Sequence, residues 1–256
     1  DNNKDYGRKE GLAHTAKVVF QPLYKNSDAS LHIGTAVSRR EPSTDVDPGE
    51  YGGVRISSRN ATSINRKKYL DTDVIPNVDY SLLSTYELAG HYKAFRFETA
   101  YVQDNVYILD SAPSTQDKST KKFRGAYVMA SYLLFGGKHN YDYGGAKFNQ
   151  ITRGRSWGDI EIAARYDYMD LNSGGIYGGS GENYTFGVNY YASKNVRFSL
   201  NYQYSNNDRY ANGKGKLYVG HDVYGNPTKD PSQVTESNGK AGVDYNMLSA
   251  RIQIDF

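Results

Sequence analysis

Strict alternation of apolar and polar residues is the feature that most constrains this chain. Residues 196–205 read VRFSLNYQYS, so one parity is aliphatic or aromatic and the other is polar. Residues 160–168, 184–190 and 248–256 alternate in the same way. A period of two is that of a β-strand with one apolar face and one polar face. The sequence therefore predicts an all-β fold whose strands separate two different environments.

The pattern predicts nine strands, at residues 12–20, 31–40, 80–92, 94–103, 123–135, 157–171, 184–190, 196–205 and 248–256. Most are longer than the ~5–6 residues usual in soluble sheets and match the ~9–11 residues of a tilted transmembrane strand. No segment has the periodicity of an amphipathic helix. We therefore predict an antiparallel transmembrane β-barrel, with a soluble β-sandwich as the alternative. The faces of residues 123–135 stay open, because both parities there carry aromatic or aliphatic residues.

The composition agrees with a barrel and excludes several other classes. The chain has 25 Tyr and 9 Phe among 256 residues although its mean hydropathy is −0.73, and such aromatic content is foreign to disordered chains. No apolar run reaches the ~18–20 residues of a membrane-spanning helix. The absence of Cys excludes disulfides and thiol chemistry. A net charge of +3 is too small to indicate nucleic-acid binding, so we expect none.

Loop lengths predict the direction of the strands across the membrane. Outer-membrane barrels have short periplasmic turns and long external loops. The turns at residues 91–93 and 192–195 are short, so we place both in the periplasm. The external loops are then residues 41–79, 104–122, 172–183 and 206–246. The segment 136–156 breaks the rule, because it is long and yet falls on the periplasmic side.

This arrangement predicts that the chain is the C-terminal part of a larger barrel. It makes residues 12–20 run down from the external side, whereas a complete single-chain barrel has both ends in the periplasm and an even number of strands. Nine strands that begin outside do not satisfy that condition, and a missed strand is the alternative. We therefore interpret residues 1–11 as the remains of an external loop and residues 12–256 as one portion of a barrel domain.

Four short runs, in the same order along the chain, resemble the phosphate-selective porin O and P family. They are FQPL followed by LHIG at residues 20–34, GDIEIAARYDYMDL at 158–171, FGVNYYASKNVRFSLNY at 186–202 and RIQIDF at 251–256. The resemblance implies a sixteen-stranded barrel of the bacterial outer membrane that forms trimers and passes anions. This chain would supply the last nine strands, and the N-terminal remainder of the same barrel would be its first partner.

The resemblance also implies that some loops fold back into the lumen and form a cationic constriction. By order, residues 41–79 correspond to such a loop, which carries Arg55, Arg59, Arg66, Lys67 and Lys68. The segment 136–156 carries Arg153 and Arg155 and resembles an infolded element on the periplasmic side. Guanidinium groups suit phosphate because they stay charged and donate paired hydrogen bonds. The alternative for residues 41–79 is a solvated surface loop.

The polar parities predict a pore wall of mixed charge. The cations on these faces are Lys17, Arg96, Arg165, Arg197 and Arg251. The acids on the same faces are Glu87, Glu98, Asp159, Glu161, Asp167 and Asp255. Such a balanced wall is not anion-selective, which departs from what the family resemblance implies. Selectivity therefore has to come from the infolded loops or from strands outside this chain.

No motif predicts catalysis. The Gly-x-Ser-x-Gly elbow of hydrolases is missing, and the His221–Asp222 pair fits a surface loop better than a catalytic pair. We predict a non-enzymatic protein without cofactor or metal: a passive outer-membrane channel for small anions, phosphate among them. Its partners would be outer-membrane lipid and further copies, in a homotrimer or a larger envelope complex. The alternative is a structural or accessory barrel subunit with little or no selective transport.

Overall fold

Nine strands form a single antiparallel sheet in the computed structural model, which describes residues 11–42, 53–59, 68–208, 220–228, 230–235 and 244–255. They are β1 (Ala13–Phe20), β2 (Ala29–Arg40), β3 (Val78–Tyr92), β4 (Phe95–Ile108), β5 (Lys121–Leu133), β6 (Asp159–Ser173), β7 (Ile176–Tyr191), β8 (Val196–Asp208) and β9 (Tyr245–Ile254). Their order across the sheet is their order along the chain. The predicted all-β fold is confirmed.

The segment 172–183, predicted as an external loop, is a hairpin instead. β6 runs on to Ser173 and β7 begins at Ile176, so Gly174 and Gly175 form the whole turn. Their φ angles are 46° and 78°, in the left-handed region that two-residue hairpin turns require. The prediction was wrong because a strand segment with water on both faces carries no alternation of apolar and polar residues. A polar, glycine-rich strand segment therefore has the sequence pattern of a loop.

The two faces of the sheet differ in chemistry. The inner face carries charged side chains such as Glu87 and Arg96. The outer face carries apolar side chains, and Val128, Phe186 and Leu200 there are 51%, 53% and 49% exposed. Apolar surface of this extent is unfavourable in water, at about 25 cal/mol per Å². The outer face is therefore suited to lipid, as the alternation predicts.

Aromatic side chains lie toward both ends of the outer face. Tyr190 and Phe198 stack with their ring centroids 6.1 Å apart near one end, and Tyr184 and Tyr204 stack at 6.3 Å nearer the other. Tyr184 and Tyr190 both belong to β7, and six residues of strand span about 20 Å. This separation is comparable to the ~25 Å apolar band between the aromatic girdles of outer-membrane barrels.

β5 is the strand for which the sequence does not predict the inner and outer faces. Phe123, Tyr127 and Ser131 lie on its inner face, whereas Val128 and Tyr132 lie on its outer face. Phe123 is only 2% exposed. An aromatic ring tolerates the otherwise polar inner face because an apolar segment of the chain covers it.

The sheet has two free edges within the described residues. β1 pairs only with β2, and β9 pairs only with β8, so the nine strands do not close into a barrel. Across the same part of the chain, the one helical turn is Pro231–Gln233, and no helix is long and apolar enough to cross a membrane.

Candidate functional site

Part of the 41–79 loop packs on the inner face. We call residues 53–59 and 68–77 the infolded loop. Its Leu70 and Ile75 are almost fully buried in a core that also contains the wall residues Val106, Phe123 and Leu171. This apolar contact anchors the loop against the wall, so the described part of the 41–79 segment is not a solvated surface loop.

Arg55 holds the infolded loop together. Its Nε donates to Asp71 Oδ1 at 2.8 Å and its Nη2 donates to Asp71 Oδ2 at 2.5 Å. Asp73 lies 4.0 Å away. The hydrogen bonds to Asp71 raise the pKa of Arg55, and the two carboxylates compensate its charge. Arg55 is therefore a poor candidate for binding a passing anion.

The other cations predicted in this loop differ in position. Arg59 is exposed and Lys68 is half-buried, at the two ends of the described segments. Arg66 and Lys67 lie outside the described residues. Ser58 pairs with Leu70 across this loop, so Arg59 and Lys68 lie on either side of the same short strand pairing.

A second segment lies on the inner face, at the strand ends opposite to those that the infolded loop contacts. The strands Lys138–Asp142 and Lys147–Thr152 pair into a hairpin, and we call residues 138–152 the inner hairpin. Its Tyr143 hydroxyl donates to the carbonyl oxygen of Leu23 at 2.7 Å. Its Tyr141 hydroxyl is hydrogen-bonded to His32 Nδ1 at 2.5 Å. These contacts fix the tip of the hairpin to β2 and to the turn before it.

The far side of the inner hairpin reaches other strands. The Phe148 ring lies 4.0 Å from the guanidinium carbon of Arg96 on β4. Beyond the hairpin, Arg153 Nη1 donates to the carbonyl oxygen of Ala192 at 2.8 Å, in the turn between β7 and β8. The segment therefore crosses the inner face from β2 to β8. The length of residues 136–156, which breaks the rule of short periplasmic turns, follows from this path.

Three of the five predicted wall cations form ion pairs with wall acids. Lys17 Nζ lies 2.7 Å from Glu87 Oε2, and Arg165 Nη2 lies 2.5 Å from Asp167 Oδ1. Arg96 pairs with Glu98 two residues away on the same strand face. Opposite charges thus compensate each other locally at these three positions.

Cations that the sequence assigned to separate elements meet in one cavity of about 280 Å³. Its lining includes Arg96, Arg153, Lys194 and Arg197, together with one acid, Asp255. We call this cavity the cationic pocket. It lies where the inner hairpin meets the ends of β7, β8 and β9.

Two guanidinium groups of the cationic pocket have only neutral acceptors among the described residues. Arg153 donates to a backbone carbonyl, and Arg197 Nη2 donates to Gln253 Oε1 at 2.7 Å. The carboxylate of Asp255 accepts hydrogen bonds from the Gln253 amide at 3.0 and 3.2 Å. The pocket therefore keeps positive charge that no ion pair cancels, and an anion is the ligand that complements it.

Comparison with known proteins decides the family. Residues 1–223 match phosphate-selective porin O and P. The chain belongs to this family. Its location is accordingly the bacterial outer membrane.

The solved structures that match this chain include an outer membrane protein. It is OmpT, an outer membrane protein of Vibrio cholerae, folded in vitro and in its trimer form. The identity is 12% and the TM-score is 0.41, and the alignment covers 94% of this chain and 56% of that chain. The chain therefore spans little more than half the length of this OmpT. No curated protein matches.

In this porin-family chain, Arg155 and Arg251 are two further predicted site residues that lie outside the cationic pocket. Arg155 has an exposed side chain next to an isolated backbone bridge with Gly158. Arg251 is exposed on the inner face of β9, and it is not part of the pocket lining. They stay candidates for a long-range electrostatic effect rather than for direct contact with an ion in the pocket.

Sequence reasoning missed a buried polar cluster beneath the inner hairpin. His139 on the hairpin is 1% exposed, and its Nε2 lies 3.8 Å from Glu161 Oε1 on β6. His91 on β3 is also buried. The available signals were that His91 and Glu161 fall on polar strand parities. Among the described residues no group of three or more His, Asp or Glu side chains has a geometry that could hold a metal ion.

Proposed function

We propose that this chain forms part of a passive outer-membrane channel for small anions, phosphate among them, without catalysis and without a cofactor. The observation that carries the proposal is the cationic pocket, in which Arg153 and Arg197 have only neutral acceptors within the described residues. An anion entering a narrow channel loses hydrating water, and fixed cations replace it. A charge about 5 Å from the ion contributes on the order of 1 kcal/mol even at the permittivity of water.

The charges of the wall and of the cationic pocket have different roles in the proposed channel. Lys17, Arg96 and Arg165 each pair with an acid, so the wall as a whole favours neither sign of ion. Arg55 is compensated by Asp71 and Asp73. Selectivity within the described residues therefore rests on the pocket.

Reversal potentials in a KCl gradient test the proposal. We expect the reconstituted protein to prefer chloride. Arg153→Gln with Arg197→Gln should lower the anion-to-cation permeability ratio by roughly fourfold or more per charge, because the Coulomb energy given above disfavours the anion by about that factor and acts on the cation with the opposite sign. Phosphate should compete with chloride in the unaltered protein and lose that advantage in the double variant.

Two further variants serve as matched controls. Arg251→Gln removes the same charge from the same face outside the pocket, so its effect should be smaller. Arg55→Gln should leave the permeability ratio unchanged, because its charge is already compensated. A channel that prefers cations, or equal effects of all four substitutions, would contradict the assignment of selectivity to the pocket.

A second candidate function is an accessory barrel in a larger envelope complex. The observation in its favour is the local pairing of wall charges, which leaves few cations free for transport. This candidate predicts that the reconstituted protein shows no conductance steps. It also predicts that the protein is purified together with other envelope proteins.

The partners belong to the same proposal. A sheet in lipid has to close, because unpaired edge groups find no water there. We therefore propose that further strands of the same barrel pair with β1 and β9 and that complete barrels associate as a homotrimer. The mass of the complex in detergent, measured by light scattering, tests the trimer, and a mass equal to one barrel would contradict it.

A further inference from the structure

Three of the five histidines of the chain are buried where the inner hairpin meets the wall. His32, His91 and His139 are 5%, 4% and 1% exposed. His32 lies on β2, His91 lies on β3 and His139 lies on the hairpin. Histidine is the side chain whose charge changes near neutral pH, so this contact area is where acidification would act first.

His139 is held in a site that disfavours its charged form. Its ring Nε2 has no hydrogen-bond partner within the described residues, although its backbone N–H donates to the carbonyl oxygen of Lys93 at 3.0 Å. Glu161 is the one acid facing the ring, and its Oε2 already accepts from Asn189 and Tyr191. Burial lowers the pKa of His139 to about 4. The Glu161 carboxylate opposes this shift in part, whereas the nearby Arg96 and His91 reinforce it.

His91 has a similar environment. Its Nδ1 is hydrogen-bonded to Ser30 Oγ at 2.6 Å, whereas its buried Nε2 has no partner in the described part of the chain. The charged groups that face it are Lys138 on the hairpin, Asp28 in the turn and Arg96 on β4. Two cations against one acid give an imidazolium ion at this position an unfavourable electrostatic environment.

His32 differs from the other two histidines. Its Nδ1 is hydrogen-bonded to Tyr141, and its Nε2 lies 3.3 Å from Glu87 Oε2, which also pairs with Lys17. Both ring nitrogens therefore have partners, and one partner is an acid. In this respect His32 differs from His91 and His139, whose Nε2 atoms have no hydrogen-bond partner within the described residues.

We propose that protonation of His91 and His139 releases the inner hairpin from the wall, so that acidification dismantles the cationic pocket. Phe148 and the adjoining Arg153 form one side of that pocket, so the pocket depends on the docked hairpin. The consequence for anion passage rests on the proposed function, whereas the release of the hairpin does not.

The direction of the pH effect follows from linkage. A histidine whose pKa is lower in the docked state binds a proton more readily in the released state. For His139, docking is strongest above the ordinary value of 6.5 and weakens as the pH falls toward about 4. The docking equilibrium changes by up to about tenfold per pH unit in that window.

Cysteine labelling tests the release of the inner hairpin. The chain contains no Cys, so an introduced Cys is the one thiol in it that the reagent can label. Ser131 lies beside Arg96 on the inner face and is 4% exposed, and its Oγ has no partner within the described residues. In Ser131→Cys protein in vesicles, we expect a thiol reagent to react at least tenfold faster at pH 5 than at pH 7.5. Each rate is divided by that of the exposed Lys122→Cys variant at the same pH, which removes the pH dependence of the reagent.

Variants of the histidines assign the effect. His91→Gln with His139→Gln, added to Ser131→Cys, should keep the slow rate at both pH values. His14→Gln, at an exposed position, should leave the pH dependence intact. Circular dichroism at both pH values separates local release from loss of the sheet.

Two outcomes would overturn the proposal. One is a normalised rate that does not change with pH, and the other is a pH dependence that persists in the double Gln variant. A pH-dependent rate that requires the two histidines, in a channel without anion preference, would support the release and contradict the proposed function instead.

Discussion

At the scale of single residues, the same side-chain type has two different roles in this protein. Arg55 donates two hydrogen bonds to Asp71, so its charge stabilises the infolded loop. Arg153 and Arg197 donate to neutral acceptors, so their charge remains available. A guanidinium group is therefore a candidate for anion binding only where its neighbours leave its charge uncompensated.

The Arg55 pair gives a stability prediction. Arg55→Ala leaves the Asp71 carboxylate, which is 8% exposed, without its bidentate partner. We expect a loss of about 1–3 kcal/mol in the free energy of unfolding, below the value for a fully buried pair because Arg55 is partly exposed. Urea unfolding of the refolded protein measures it, and limited proteolysis should cut the loosened loop faster.

Arg59→Ala is the matched control for this prediction, because Arg59 is an exposed cation in the same loop. Its effect should stay within about 0.5 kcal/mol. A double-mutant cycle with Asp71→Asn isolates the pair energy. Equal losses for Arg55→Ala and Arg59→Ala would refute the role assigned to the pair.

At the scale of elements, the turn between β6 and β7 shows how a loop and a hairpin support each other. Lys121 Nζ donates to the carbonyl oxygen of Gly174 at 2.8 Å and to Asp117 Oδ2 at 2.5 Å. Lys121 is 3% exposed, so its ammonium group has little freedom to move. The buried cation thus ties the turn to the loop that precedes β5.

Two adjacent glycines allow a paired test of that turn. A Cβ at Gly174 would lie 2.8 Å from Lys121 Nζ, whereas a Cβ at Gly175 would meet nothing within 4 Å. Gly175→Ala should cost about 1 kcal/mol for its left-handed backbone alone. Gly174→Ala should cost roughly 1 kcal/mol more, because the clamped ammonium group has to move. Urea midpoints of the two variants give the comparison, and a larger loss at Gly175 would disprove the explanation.

At the scale of the whole molecule, the sheet separates lipid from water. Leu200 on β8 is exposed on the outer face, and its neighbour Ser199 lies on the inner face, where it is hydrogen-bonded to Asn189. The register places Leu200 between the two aromatic levels of the outer face. Its surroundings should therefore be the apolar centre of the bilayer.

A charge placed on either side of the same strand tests that assignment. Leu200→Arg should cost about 2–4 kcal/mol of folding free energy in phospholipid vesicles, which is the cost of Arg near the bilayer midplane. Ser199→Arg, one residue away and facing the lumen, should cost less than half of that. If the two variants unfold at the same denaturant concentration, the outer face does not contact the hydrocarbon.

The alternation of residues determined most of the wall before any tertiary contact was known. The β-strand period is a local property, so the existence of nine strands and the apolar faces of most of them follow from neighbouring residues alone. The alternation gave no correct prediction where the polarity of a strand face depends on what covers that face. Residues 172–183 continue two strands in water, and β5 carries an aromatic residue inward because the infolded loop covers it.

The tertiary structure alone decided which cations are free. Lumen contacts join residues that are far apart in the chain, such as Gln21 and Tyr143, and no short-range period encodes them. The resemblance to a porin family predicted that two segments fold inward. Only the packing shows that Asp71 compensates Arg55, and that Arg153 meets Arg197 at the end of the inner hairpin. The physical reason is that the chemistry of a side chain fixes the sign of its charge. Whether that charge is compensated depends on which groups the fold brings within a few ångströms of it.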